Sequence, residues 1–208
     1  MMKTNFLSSL MVAIFVMFGL TNLQAANEKS IKDLQDAFTG ESTASAKYLG
    51  YAKKAHEEGN HNVAVLFEAA SKAEFIHAGN HKAVLKQLNA KVPDVNPKFE
   101  VKTTAENLKD AISGESYEIA TMYPDFIKDA QGENSNLAMV SFNYAYQVEK
   151  KHKALYEKAL QALENGREKS LPTVYMVCPT CGNTYENEAP ERCGISMTSG
   201  DRFIKISL

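Results

Sequence analysis

Across residues 30–166, apolar residues recur every three or four positions in a background of Ala, Leu, Glu and Lys, the pattern of amphipathic helices. Punctuation cuts the stretch into four long helices. Gly59-Asn60 ends the first and opens the second, and Gly132-Glu133-Asn134 does the same for the later pair. Between Ala90 and Lys102, Pro93 and Pro97 are incompatible with a continuing helix. Two tight turns flanking one long connection predict a four-helix bundle with a single crossover. Pro124 falls inside the third helix and should kink it near Tyr123. Beyond Gly166 the helical period stops, and residues 174–177 and 203–206 read as short strands. The expected organisation is a targeting segment at 1–25, a bundle at 26–166, a linker at 167–173 and a small β-rich module at 174–208, mainly α in all.

The first 25 residues carry one charge, Lys3, then an apolar run from Phe6 to Leu20 and the small-residue ending Leu23-Gln24-Ala25. This is the layout of a secretory signal, too short for a comfortable membrane span of roughly 20 residues. It implies export, most simply to a bacterial periplasm, with no membrane attachment after cleavage. The chain is otherwise ordinary in composition, 44% hydrophobic and 23% charged. Its 23 basic and 25 acidic residues give a net charge of −2, so no basic field favours nucleic acid.

An internal repeat carries the chemistry. Residues 33–42 read DLQDAFTGES and residues 107–116 read NLKDAISGES, at an offset of 74. Downstream of them lie Glu74-Phe-Ile-His77 and Glu149-Lys-Lys-His152, at an offset of 75. Each half is therefore a helix bearing a Gly-Glu, followed by a helix bearing Glu-x-x-His. Glu and His three apart share a helix face. Glu41, Glu74, His77, Glu115, Glu149 and His152 together form the ligand inventory of a two-metal carboxylate centre, hard enough for iron and lacking thiolate. A lone Glu-x-x-His is usually a solvated surface pair; the duplication gives this one weight.

The repeat breaks where Ala44 is matched by Glu118, which shares a face with Glu115 and adds a carboxylate to the second half. Tyr48 and Tyr123 fall where their phenols reach ligand carboxylates or a bound oxidant. Gly40 and Gly114 are expected to leave room for a neighbouring helix. His56 and His61 flank the Gly59 turn and read as exposed or capping, His81 reads as solvent-facing, and Met122 and Met139 read as core filling.

In the last segment Cys178-Pro-Thr-Cys181 precedes Cys193-Gly-Ile-Ser196. Two such knuckles frame a tetrahedral iron or zinc site, here with Ser196 in the fourth position. Three readings stay open: a redox-active Cys3Ser iron site, a structural zinc or water-completed site, or a Cys178–Cys181 disulfide with Cys193 free. Three cysteines, an odd number, do not make a disulfide framework.

Taken together, Phe38-Thr-Gly-Glu41-Ser, Glu74-x-x-His77, Gly114-Glu115-x-x-Glu118, Met122-Tyr123-Pro124 and Glu149-x-x-His152 resemble the rubrerythrins over nearly all of the mature chain. The resemblance implies a ferritin-like di-iron bundle followed by a rubredoxin-like module. It assigns the irons to Glu41, Glu74, His77, Glu115, Glu118, Glu149 and His152, with Glu74 and Glu149 bridging. It gives Cys178, Cys181 and Cys193 to a further iron or zinc, and places Glu118, Tyr48 and Tyr123 in catalytic positions. It also implies a peroxidase that protects against oxidative stress, taking electrons from a donor protein. The assembly would be a homodimer whose small domain reaches across to the neighbouring subunit. The chain departs from the family at Ser196 and in its signal segment. A ferroxidase or iron-handling protein without a working relay is the rival function, and a metal-binding bundle with a zinc clip a second.

Overall fold

The computed structural model describes residues 27–208, so the targeting segment read at 1–25 lies outside the described residues. Helices α1 (Glu28–Glu57) and α2 (His61–Gln87) form the first antiparallel hairpin. An irregular crossover follows, as its prolines require. The second hairpin comprises α3 (Thr104–Tyr117), a π-helical turn (Glu118–Met122), α4 (Tyr123–Gly132) and α5 (Asn136–Glu164). Among the described residues no helix is long and apolar enough to cross a membrane.

The hairpin helices end by one device. Gly59, Asn89, Asn134 and Gly166 take positive φ, and the next N–H reaches back to the carbonyls of Ala55, Leu85, Ala130 and Ala162 at 2.8–2.9 Å. At the second hairpin turn Asn134, not Gly132, takes the left-handed conformation. Helix starts are tied across the repeat. Glu58, just past α1, accepts from the N–H and hydroxyl of Thr104 at the start of α3. Glu133, 75 residues further on, accepts from the N–H groups of Lys29 and Ser30 at the start of α1. Each hairpin thus caps the other, as a duplicated unit related by a two-fold axis would.

Where a kink is expected near Tyr123, the helix passes through a π-helical turn, and this explains the changing offset. Glu41 and Glu115 are 74 apart, whereas Tyr48 and Tyr123 are 75 apart. The π-helical turn between Glu115 and Tyr123 absorbs the additional residue by widening one turn. Pro124 then stands in the first turn of α4.

Two apolar clusters fill the bundle. One joins Tyr48, Tyr51, Phe67, Leu108 and Tyr156 and extends to Tyr175 and Val177 of the C-terminal module. The other joins Leu34, Leu85, Tyr123 and Phe142, with Met122 and Met139 packed against it. Gly40 and Gly114 do not serve close helix approach: a Cβ at either would meet nothing within 4 Å. The ligand glutamates beside them, Glu41 and Glu115, are buried in the bundle interior.

The C-terminal module is a three-stranded antiparallel sheet in the order β2–β1–β3, where β1 is Val174–Val177, β2 Thr184–Glu186 and β3 Ile204–Ser207. A 3-10 turn at Glu168–Ser170 leads into it. Because β1 joins the first bundle cluster, the sheet is packed onto the bundle of its own chain.

Candidate metal centre

Four helices bring the predicted residues together. Glu41, Glu74, His77 and Glu149 offer ligand atoms within 4.8 Å of one another, as do Glu74, Glu115, Glu149 and His152. Glu74 and Glu149 belong to both groups and so lie between two positions. His77 Nδ1 lies 2.8 Å from Glu74 Oε2 and 2.9 Å from Glu149 Oε1. His152 Nδ1 lies 2.8 Å from Glu149 Oε2 and 3.0 Å from Glu74 Oε1. Despite these approaches, seven buried atoms at the centre have no hydrogen-bond partner: Glu41 Oε2, both oxygens of Glu74 and of Glu149, and Nδ1 of His77 and His152. Buried polar atoms are ordinarily satisfied, and lone pairs converging without donors are what a cation needs. The residues fit two hard metal ions.

The histidine tautomers agree. His77 Nε2 donates to the carbonyl of Cys181 at 3.0 Å, and His152 Nε2 lies 3.2 Å from Thr184 Oγ1. With Nε2 carrying the proton, each Nδ1 presents its lone pair to the centre, the orientation that metal-binding histidines take from an outer hydrogen bond. Both outer partners come from the C-terminal module, which sequence spacing could not have indicated.

Electrostatics point the same way. Burial pushes the carboxyls of Glu41 and Glu115 well above the usual range, reinforced for Glu41 by Glu118 and for Glu115 by Glu149. Burial alone would lower the two imidazoles, but the facing carboxylates win: Glu149 and Glu74 raise His77 well above its usual value, and His152 is pushed to about 9. Burial likewise opposes ionisation of Glu74, yet His152 and His77 hold it at about 2. The clustered carboxylates repel one another when ionised, so the metal-free site takes up protons, and a divalent cation would relieve the same repulsion with the carboxylates ionised.

Glu118 stands outside both ligand groups, on the π-helical turn. The residue as a whole is half-buried while its carboxyl is withdrawn from water, which raises its pKa well above normal, as do the charges of Glu149 and Glu74. The two tyrosines bond across the repeat. Tyr48 donates to Glu115 Oε1 at 2.7 Å, and Tyr123 donates to Glu41 Oε1.

His81 departs from the sequence expectation. It is fully buried, because α2 turns it between Tyr123 and Ser141 rather than to solvent. Tyr156, unremarked in the sequence, is also fully buried, with its ring edge-on to Tyr48 at 5.6 Å between centroids. The signal for both was available: each lies four residues after a ligand histidine, hence on its face. His56 and His61 stay at the surface turn, their Nδ1 atoms 3.0 Å apart.

In the module, Cys178, Cys181 and Cys193 are free and buried, and they form a third candidate metal group. Ser196 is where a fourth ligand belongs, its Oγ 3.3 Å from Cys178 Sγ. Hydrogen bonds from Cys181, then Ser196 and backbone N–H groups, bring Cys178 down to about 4, so the thiolate is favoured.

Gly182 sets how closely this module meets the bundle. Its φ is +76°, and a Cβ there would lie 2.5 Å from His77 Nε2 and 3.2 Å from the Ala73 carbonyl. Gly182→Ala is therefore expected to cost about 2–4 kcal/mol, from a left-handed non-glycine residue plus overpacking. Thermal unfolding of the variant checks this; an unchanged midpoint would mean that the module does not dock through this contact.

Similarity to known proteins follows these features. The rubrerythrin family profile matches residues 32–160. Rubrerythrin-2 of Clostridium acetobutylicum is 32% identical over 182 residues, covering 87% of this chain and 98% of the relative. Nigerythrin of Nitratidesulfovibrio vulgaris is 33% identical, covering 84% and 85%. A solved structure of fully reduced, all-ferrous nigerythrin superposes with a TM-score of 0.76 at 32% identity, over 85% of this chain and 86% of that one. A bacterioferritin from Desulfovibrio desulfuricans, at 18% identity and a TM-score of 0.64, shares the ferritin-like fold. Matched along its helices by the family profile and along most of its length by these relatives, the chain belongs to the rubrerythrin family.

Proposed function

We propose that this protein is a non-haem di-iron peroxidase that reduces hydrogen peroxide to water with electrons received through its C-terminal module. The observation that carries the reading is the set of seven unpartnered ligand-type atoms in two groups sharing Glu74 and Glu149. Glu41, Glu74 and His77 would hold one iron and Glu115, Glu149 and His152 the other, with Glu74 and Glu149 facing both and Glu118 in reserve. Two ferrous ions supply the two electrons that, with two protons, convert one peroxide to two waters.

The chain's own residues do the rest. Tyr48 and Tyr123 each hold a proton against a ligand carboxylate, Glu115 and Glu41. The raised carboxyl of Glu118 suits it to carry a proton or to swing into ligation. Aromatic side chains on both flanks limit water. The electron route is short: the Cys181 backbone carbonyl meets Nε2 of His77 directly. Cys178, Cys181 and Cys193, with Ser196 beside them, would hold the iron that relays the electrons. In this chain that relay would serve its own centre; a homodimer in which modules exchange between partners remains compatible with the same contacts. We also propose export of the mature chain, so that its donor would be a protein of that compartment.

Ser196 favours a second reading, a ferroxidase with a weakened relay. Anaerobic stopped-flow of the reduced, iron-loaded protein separates the two. Much faster oxidation by peroxide than by dioxygen, at about one peroxide per two irons, supports the peroxidase. Equal or reversed preference supports the ferroxidase.

Ser196→Cys is expected to change the visible spectrum of the iron-loaded module and to speed donor-driven turnover, leaving single-turnover oxidation of the bundle iron unchanged. If spectrum and turnover both match the wild type, Ser196 does not perturb a redox site.

A further inference from the structure

The two halves of the site are related by the repeat, and one pair of residues breaks the relation. Tyr48 and Tyr123 correspond at an offset of 75, and so do His77 and His152. The same offset pairs His81 with Tyr156. On the first side, the ring behind Tyr48 is another phenol. On the second side, the ring behind Tyr123 is an imidazole, with His81 Nε2 3.3 Å from the Tyr123 hydroxyl.

With Glu41 ionised, as a metal ligand must be, the hydrogen-bond directions on the second side follow in sequence. Tyr123 donates its proton to Glu41 Oε1, so its oxygen is left to accept. His81 must then carry its proton on Nε2. Its Nδ1 is left bare and accepts from the Ser141 hydroxyl at 2.8 Å. All three donors point toward Glu41. Burial keeps the imidazole neutral, with its pKa pushed down to about 3, so the single-proton form persists across the physiological range. The ring is fixed by Phe142, at 5.5 Å between centroids.

From this geometry we infer that His81 is a positioning residue: it locks the Tyr123 hydroxyl as a donor to Glu41 and makes that side of the metal pair the one with a polarised proton at hand. The inference rests on the di-iron peroxidase reading for its kinetic consequence, but not for its hydrogen-bond content. Successive donors in a low-dielectric interior strengthen one another, so the N–H behind Tyr123 sharpens its bond to Glu41. In the corresponding place behind Tyr48, the Tyr156 hydroxyl makes no hydrogen bond.

The test has two arms. In the first, nitrogen-15 NMR of the full mature chain, loaded with diamagnetic zinc, reads the tautomer of His81, assigned by loss of its signals in His81→Leu. If that variant does not fold, through-bond correlation in the wild type assigns it instead. The Nε2–H form is expected; the Nδ1–H form would overturn the inference, since Tyr123 would then lack its donor. In the second, the iron-loaded, reduced protein is mixed with peroxide in single turnover, normalised to iron content. His81→Leu is expected to slow oxidation about tenfold, less than loss of a direct proton donor. His81→Gln, which keeps a donor and an acceptor, should fall within about threefold of the wild type. Unchanged rates in His81→Leu, or equal slowing in both variants, would reduce His81 to a packing role. Should peroxide prove no better an oxidant than dioxygen in the wild type, the peroxidase reading fails, while the tautomer still decides the role of His81.

Discussion

Stripped of metal, the protein is expected to lose stability steadily as pH rises from about 5 to about 9, whereas the metal-loaded protein is not. The sign follows from the groups in the cavity. Glu41, Glu115 and Glu118 have carboxyls raised above their unfolded values, so the metal-free fold binds protons more tightly than the unfolded chain. That stabilisation is present at low pH and lost as pH climbs through the raised values. His77 and His152 act in the same direction. Their contribution is full below about 6.5 and lost as pH passes, for His152, about 9. Glu74, held at about 2, contributes stability that is lost only below about 4.5, outside this window. Metal ions take the place of those protons and need the ligands deprotonated, so their effect grows with pH. At 1,000 times the dissociation constant the gain is about 4 kcal/mol, or roughly 8–16 °C in Tm for a chain of this size. Thermal unfolding with and without a chelator, at pH 5 and pH 8, measures it. A metal-induced shift that is flat or shrinks from pH 5 to pH 8 would refute the assignment of this cavity to metal.

Glu149→Gln is expected to remove both irons, and Glu41→Gln only one. Glu149 offers an oxygen to each group of ligand atoms, near His77 on one side and near His152 on the other. An amide in its place lacks the charge and presents N–H groups to one of the two positions. Glu41 belongs to a single group, so its loss leaves the position built from Glu74, Glu115, Glu149 and His152 intact. Elemental analysis should therefore give close to zero iron in the bundle for the first variant and about one for the second. Peroxide turnover should fall more than about a hundredfold in Glu149→Gln, beyond the 10–100-fold typical of changes to a ligand's outer partner. Near-equal iron in the two variants would mean that Glu149 does not bridge.

The ligand set was legible from the sequence because it rests on local geometry. Glu and His three apart share a helix face whatever surrounds them, and a duplication places two such faces opposite two single glutamates. Turn chemistry at Gly59 and between Gly132 and Asn134 and the prolines of the crossover likewise act within a few residues. The expectations that failed depended on what lies across the bundle. His81 is buried by Tyr123, Ser141 and Phe142, which belong to other helices, so a polar residue on an amphipathic helix was assigned to water. Gly40 and Gly114 were assigned a packing role that their neighbours do not impose.

The sequence by itself determined the helices, the crossover, two of the three strands and the residues that converge on the centre, because periodicity, caps and i, i+3 spacing are properties of the chain over one or two turns; Thr184–Glu186 became a strand only by pairing with β1. Only the tertiary structure decided which histidine nitrogen faces the metal positions, through the Cys181 carbonyl and Thr184 of a module more than 100 residues from His77 and about 30 from His152. It alone decided that the π-helical turn absorbs the residue separating the two offsets, and that His81 and Tyr156 make the halves unequal. Those outcomes depend on contacts between distant segments, where burial and hydrogen-bond direction are set by the partner rather than by the residue.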